Sequence, residues 1–152
     1  FKGTLFRQTQ FAEFELRIHE AVESGKPLTG NEISKIYMDI LRTYYGSDKG
    51  VCAVSKNLEM EWAFISHFYR GFYVYQYSTS LTASVALAEK VKSGDKEALK
   101  KYITFLSSGG SDYPIELLKK AGVDLTGSEP FDMTIAAMNS LMDEIEKILD
   151  KK

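Results

Sequence analysis

The stretch Thr29-Gly30-Asn31-Glu32-Ile33-Ser34-Lys35-Ile36-Tyr37-Met38-Asp39-Ile40-Leu41-Arg42-Thr43-Tyr44-Tyr45-Gly46 spells out a whole helix, from cap to stop. The Thr29 hydroxyl can accept from the amide three residues on, while Glu32 reaches back, which is the form of a capping box. Ile33, Ile36, Tyr37, Ile40, Leu41 and Tyr44 recur at three- and four-residue steps and so share one face. Gly46 ends the run.

The same period extends in both directions. From Arg7 to Ser24, the apolar residues Phe11, Phe14, Ile18, Ala21 and Val22 mark one helical face, with Glu13, Glu15, Arg17 and Glu20 largely on the solvated side. Gly25-Lys26-Pro27 stops that helix. Ser47 to Ser66 shows no clear period and reads as a loop, in which Val51-Cys52-Ala53-Val54 could form a short extended piece. A long helix is expected from about Gly71 to Ser93. Its small residues (Ser78, Thr79, Ser80, Thr82, Ala83, Ser84, Ala86 and Ala88) suit close packing. Asp95 can cap the next helix, whose face is Leu99, Tyr102, Ile103 and Leu106, with Gly109-Gly110 behind it. Asp112-Tyr113-Pro114 opens a short helix that closes at Gly122. Ser128-Glu129-Pro130 opens the last, with a seam of Phe131, Ile135, Met138, Met142, Ile145 and Leu149 expected to lie on a core. Sheet signals are nearly absent. The pattern predicts an all-α fold of about six helices, with residues 1–152 as one helical unit.

Composition narrows the function. The chain has 152 residues, 44% of them hydrophobic and 26% charged, as expected of an ordinary globular domain. Its 19 basic and 21 acidic side chains leave a net charge of -2 without a basic cluster, which argues against nucleic acid as a partner. No stretch approaches the ~20 apolar residues of a membrane span, and no signal peptide opens the chain. The lone cysteine, Cys52, cannot form a disulfide within the chain, and a cytoplasmic, disulfide-free protein is expected. Cys52 itself is expected to be a small half-buried apolar residue. The chain opens on Phe1 rather than methionine, which points to a cut product or a processed protein.

The chemistry-bearing residues are few. The His-Glu-x-x-His pattern sets two zinc-binding imidazoles on one helix face. Here His19-Glu20-Ala21-Val22-Glu23 lacks the second histidine, and the only other histidine is His67. Neither a Gly-x-Ser-x-Gly nucleophile nor a phosphate-binding glycine loop is present. One constellation stands apart: Trp62-Ala63-Phe64-Ile65-Ser66-His67-Phe68-Tyr69-Arg70-Gly71-Phe72-Tyr73-Val74-Tyr75-Gln76-Tyr77. Four of the nine tyrosines fall within nine residues, just after a histidine. In a helix Tyr73 and Tyr77 share a face, and Tyr75 points elsewhere. An aromatic stripe is most often core, and Phe68 and Phe72 fit that reading. Phenols need hydrogen-bond partners, however, and several beside a histidine suit the wall of a cleft, where they can donate to a developing oxyanion.

The order of three motifs carries a resemblance. Phe6-Arg7-Gln8-Thr9-Gln10-Phe11-Ala12-Glu13-Phe14-Glu15 resembles the segment that follows the zinc helices of oligoendopeptidase F, a family of thimet-oligopeptidase-like zinc metallopeptidases. Ile65-Ser66-His67-Phe68-Tyr69 with Phe72-Tyr73-Val74-Tyr75-Gln76-Tyr77 resembles its His-Phe-Tyr and Phe-Tyr-Val-Tyr-x-Tyr signature. Phe105-Leu106-Ser107-Ser108-Gly109-Gly110-Ser111 and Leu117-Leu118-Lys119-Lys120-Ala121-Gly122-Val123-Asp124 look like its C-terminal end. The likeness covers essentially the whole chain. It implies the C-terminal part of a larger helical catalytic domain that hydrolyses short peptides in a deep channel. His67 and Tyr75 match catalytic residues that stabilise the tetrahedral intermediate, and Tyr69 and Tyr73 match substrate-binding tyrosines. Zinc, its His-Glu-x-x-His ligands, a further glutamate ligand and the general base would all lie upstream, so Glu13 and Glu15 are not ligands. The family usually has proline at the place of Ser66 and glycine at the place of Ser80, departures that leave His67 and the tyrosines untouched.

Two functions follow from the resemblance. In the first, the chain is the C-terminal part of a zinc oligoendopeptidase, inactive without its N-terminal partner. In the second, it is a non-catalytic helical module that binds peptides or other partners. In either case an exposed apolar surface is expected where the rest of a larger domain packs, and with it dimerisation.

Overall fold

The computed structural model describes residues 1–150. It is all-helical, with no strand among the described residues. Among the described residues there are six α-helices: α1 Arg7–Glu23, α2 Gly30–Tyr45, α3 Tyr75–Lys92, α4 Lys96–Ser108, α5 Pro114–Lys120 and α6 Glu129–Leu149. A π-helical turn, Lys2–Phe6, leads into α1. Packing groups the chain into two compact units, Phe1–Ser78 and Thr79–Lys152.

The core of the first unit joins Phe11 and Phe14 of α1, Tyr37, Met38, Ile40 and Leu41 of α2, and Val74, with Trp62, Ile65 and Phe68 packed against it. Each large apolar side chain buried there contributes roughly 1.5–3 kcal/mol. The capping box forms as expected. The Glu32 amide donates to Thr29 Oγ1 at 3.3 Å, and the Thr29 amide donates to Glu32 Oε2 at 2.7 Å. Together these bonds satisfy two otherwise orphaned donors at the start of α2. Gly46 closes α2 at φ 60, the left-handed region that glycine enters without penalty.

A polar chain runs along one side of this core. Arg7 pairs with Glu61, Glu61 accepts from the Tyr37 hydroxyl at 2.5 Å, and Gln10 Nε2 donates to that hydroxyl at 3.5 Å. Burial and the hydrogen bond to Glu61 hold the Tyr37 phenol far above its usual range. Burial and the neighbouring Glu13 carboxylate push Tyr44 up to about 12. Both groups bind their proton more tightly folded than unfolded, where a phenol titrates near ~10. Their contribution is complete below pH ~10 and is lost as pH rises through the folded values. Stability to chemical denaturation should therefore fall between about pH 10 and 12. A denaturation midpoint unchanged from pH ~8 to ~11 would contradict this linkage.

The second unit is built on Ala83, Ala86 and Leu87 of α3 with Ala121 and Val123, flanked by Tyr102, Phe105, Leu118, Leu125 and Met133. Of the small residues of α3, Ser78, Thr82, Ala83 and Ala86 are buried, while Ser80, Ser84 and Ala88 are exposed. Lys90 Nζ donates to the Gly122 carbonyl at 2.5 Å and ties α3 to the end of α5. Asp95 caps α4 by accepting from the Glu97 amide at 2.8 Å.

Several expectations are corrected. Residues 47–66 are not a plain loop: they hold 3-10 helical turns at Ser47–Lys49 and Lys56–Phe64, a third follows at Ser66–Tyr69, and Val51-Cys52-Ala53-Val54 pairs with no strand. Helix α3 begins at Tyr75 instead of Gly71, because the backbone turns at Phe72. Val22 and Cys52 are exposed, and Glu15, expected in solvent, is buried. Phe131, Ile135, Met142, Ile145 and Leu149 of the α6 seam, expected to lie on a core, are exposed. Helical spacing shows which residues share a face. It does not show whether anything covers that face.

Candidate active-site wall

The segment from Trp62 to Tyr77 is anchored to the first unit through Trp62, Ile65, Phe68 and Val74. Trp62 Nε1 donates to Ser34 Oγ at 3.0 Å. Phe68 packs edge-on to Phe11 at 5.8 Å and tilted against Phe14 at 5.2 Å. Val74 is 1% exposed. With Phe68 and Val74 committed to the core, their neighbours His67, Tyr69 and Tyr75 lie at the surface, with Tyr73 half-buried.

Three of these rings meet. His67 stacks on Tyr73 at 5.7 Å and 16°, and meets Tyr77 edge-on at 6.0 Å. Tyr73 and Tyr77, four residues apart, are edge-on at 5.5 Å. The Tyr77 hydroxyl donates to Tyr73 at 3.4 Å and lies 3.5 Å from His67 Nε2, both at the long end of hydrogen bonding. The bond to Tyr73 raises the Tyr77 phenol above its ordinary value. Arg70 adds a guanidinium 5.9 Å from the Tyr73 ring, within cation–π range. An imidazole, two phenols and a guanidinium on an open face can donate hydrogen bonds to a peptide backbone or to a developing oxyanion.

Of the residues singled out from sequence, the structure brings His67 and Tyr73 together. Tyr69 is 84% exposed and Tyr75 49% exposed. Tyr77 and Arg70 were not singled out, although the spacing of Tyr73 and Tyr77 already placed both on one helix face. Glu15 was also missed. It follows Phe14 and lies one helical turn beyond Phe11, at the edge of the apolar stripe, where a carboxylate can be carried into the core.

The turn at Gly71-Phe72 shapes this wall. Phe72 has φ 54, a left-handed conformation that a bulky side chain rarely adopts. Such a residue costs on the order of 1–3 kcal/mol and persists only when its surroundings hold it. Glu15 Oε1 accepts from the Phe72 amide at 2.6 Å, and the His19 ring lies 4.7 Å from the Phe72 ring.

Elsewhere, the second unit has a cavity of ≈ 760 Å³ lined by residues including Ala83, Leu87, Tyr102, Phe105, Leu117 and Leu118. It is mostly apolar and assembles no nucleophile with a base. Among the described residues no group of three or more His, Cys, Asp or Glu side chains could hold a metal ion. The two imidazoles are set against aromatic rings instead, His19 on Phe72 and His67 on Tyr73. These residues do not fit a zinc site.

The profile of peptidase family M3 matches residues 2–137, and the chain belongs to that family. It is 42% identical over 151 residues to oligopeptidase PepF of Bacillus subtilis (strain 168), covering 99% of this chain and 22% of the relative. It is 43% identical over 153 residues to the plasmid oligoendopeptidase F of Lactococcus lactis subsp. cremoris, covering 99% of this chain and 25% of that protein. The crystal structure of oligoendopeptidase-F from Enterococcus faecium superimposes with a TM-score of 0.92 at 42% identity, over 100% of this chain and 29% of that one. The chain thus spans about a quarter of the length of the curated relatives it matches.

Proposed function

We propose that this chain forms the substrate-binding and oxyanion-stabilising wall of a zinc oligoendopeptidase that hydrolyses short peptides. The observation that carries the proposal is the cluster of His67, Tyr73 and Tyr77 on a segment anchored to the core through Trp62, Ile65, Phe68 and Val74. In this reading Tyr75 and His67 are catalytic and donate to the oxyanion of the tetrahedral intermediate. Tyr69 and Tyr73 hold the substrate backbone. Zinc, its His-Glu-x-x-His ligands and the general base belong to a part of the protein outside residues 1–152, because the residues here do not fit the ion. That N-terminal part is the first partner. The uncovered apolar seam of α6 is where it, or a second copy of the chain, would pack. No described helix is long and apolar enough to cross a membrane, and the single cysteine agrees with a cytoplasmic location.

The test is peptide hydrolysis with and without the remainder of the protein. The 152-residue chain should leave a fluorogenic peptide of about eight residues intact even with added zinc, while the complete protein cleaves it. Cleavage by the isolated chain would overturn the assignment of zinc chemistry to another segment. Binding without cleavage by the complete protein would favour the non-catalytic module.

A further inference from the structure

We propose that Glu15 is a positioning residue: it holds the Gly71-Phe72 turn in its left-handed form and so sets Tyr73 and Tyr77 against His67. The catalytic meaning of this role, though not the geometry, rests on the function proposed above.

Four observations lead to it. Glu15 is 1% exposed, and its Oε1 accepts from the Phe72 amide at 2.6 Å across 57 residues of sequence. A carboxylate acceptor makes that bond a strong one. Among the described residues, Phe72 is the non-glycine residue with positive φ, so the bond is made at the point of strain. One helical turn beyond Glu15 on α1, the His19 ring packs on the Phe72 ring at 4.7 Å, so one helix grips both the backbone and the side chain of this residue. The next residue is Tyr73, which carries the stack on His67, and the one after is the buried Val74.

The chemistry of the site argues against simple packing. Glu15 Oε2 is buried with no hydrogen-bond partner, and burying an unpaired carboxylate oxygen is unfavourable. A leucine would fill the same space without that cost. What a leucine cannot do is accept from the Phe72 amide.

The experiment uses the isotopically labelled 152-residue chain in four forms: unsubstituted, Glu15→Gln, Glu15→Leu, and Glu15→Leu with Phe72→Gly. In the unsubstituted chain the Phe72 amide should be protected from hydrogen exchange. Glu15→Leu should speed its exchange about 10–100-fold relative to the Leu41 amide in the core. It should also remove the ring-current displacement of the His67 ring protons. Glu15→Gln should keep both signatures, because its carbonyl can still accept. Phe72→Gly in the leucine background should restore the His67 signature, because glycine adopts the turn without strain.

An unprotected Phe72 amide in the unsubstituted chain would overturn the proposal without any variant having to fold. So would a Glu15→Leu chain in which all core amides exchange faster together and Phe72→Gly recovers nothing. In the complete peptidase, Glu15→Leu should lower kcat more than it changes KM. If the exchange and ring-current signatures move as expected but hydrolysis does not, the positioning role stands and the catalytic reading of the wall fails.

Discussion

Replacing Tyr75 by phenylalanine in the complete peptidase should lower kcat about 10²–10³-fold, the usual effect of removing one oxyanion donor. KM and bound zinc should change little. The substitution removes one oxygen and leaves the ring. Tyr75 is the first residue of α3 and follows Val74, which is fixed in the core at 1% exposure, so the backbone at this point should not move. A loss confined to kcat marks an interaction made only in the transition state. Steady-state kinetics together with a metal assay would decide the matter, and an unaltered kcat removes Tyr75 from the catalytic set. Tyr73→Phe is a less selective probe, since it also deletes the partner of the Tyr77 hydroxyl.

The largest expected effect on stability lies at Phe14. Its side chain is 1% exposed and meets Tyr37 edge-on at 5.1 Å, Phe68 at 5.2 Å and Trp62 at 6.5 Å. Phe14→Ala should cost about 3–5 kcal/mol, combining lost transfer energy with a cavity that the stiff surrounding rings cannot collapse to fill. Against a total stability of roughly 5–15 kcal/mol, that is enough to leave the first unit marginal. Urea denaturation followed by far-ultraviolet circular dichroism would show it, and a loss below ~1 kcal/mol would mean that the surrounding aromatics had repacked. Because Phe14 and Phe68 touch, the same substitution should also loosen the segment that carries His67.

How much of this was legible beforehand depended on the range of the interaction. The α2 cap and the stops at Gly46 and Gly122 are set by neighbouring residues, and their expected positions held. The small residues of α3 divide: Ala83 and Ala86 enter the core of the second unit, and Ser80, Ser84 and Ala88 are exposed. The turn at Phe72 was invisible, because nothing local favours a left-handed phenylalanine. Its amide partner, Glu15, lies 57 residues away. The exposed seam of α6 was misjudged for a related reason: periodicity within a helix carries no information about its neighbours. Family likeness brought in His67, Tyr69, Tyr73 and Tyr75. The spacing of Tyr73 and Tyr77 hinted at Tyr77, and the three-dimensional arrangement adds Arg70 and Glu15.

The chain has a single tryptophan, Trp62, seated against the Phe14 ring and donating to Ser34. The second unit has only Tyr102 and Tyr113 as its larger aromatic fluorophores. Excitation at the red edge of the indole band therefore selects an emitter that belongs to the first unit and sits five residues before His67. The protein carries its own optical label for the platform on which the proposed wall stands, and a shift in that emission on adding a peptide would report occupancy without any attached dye.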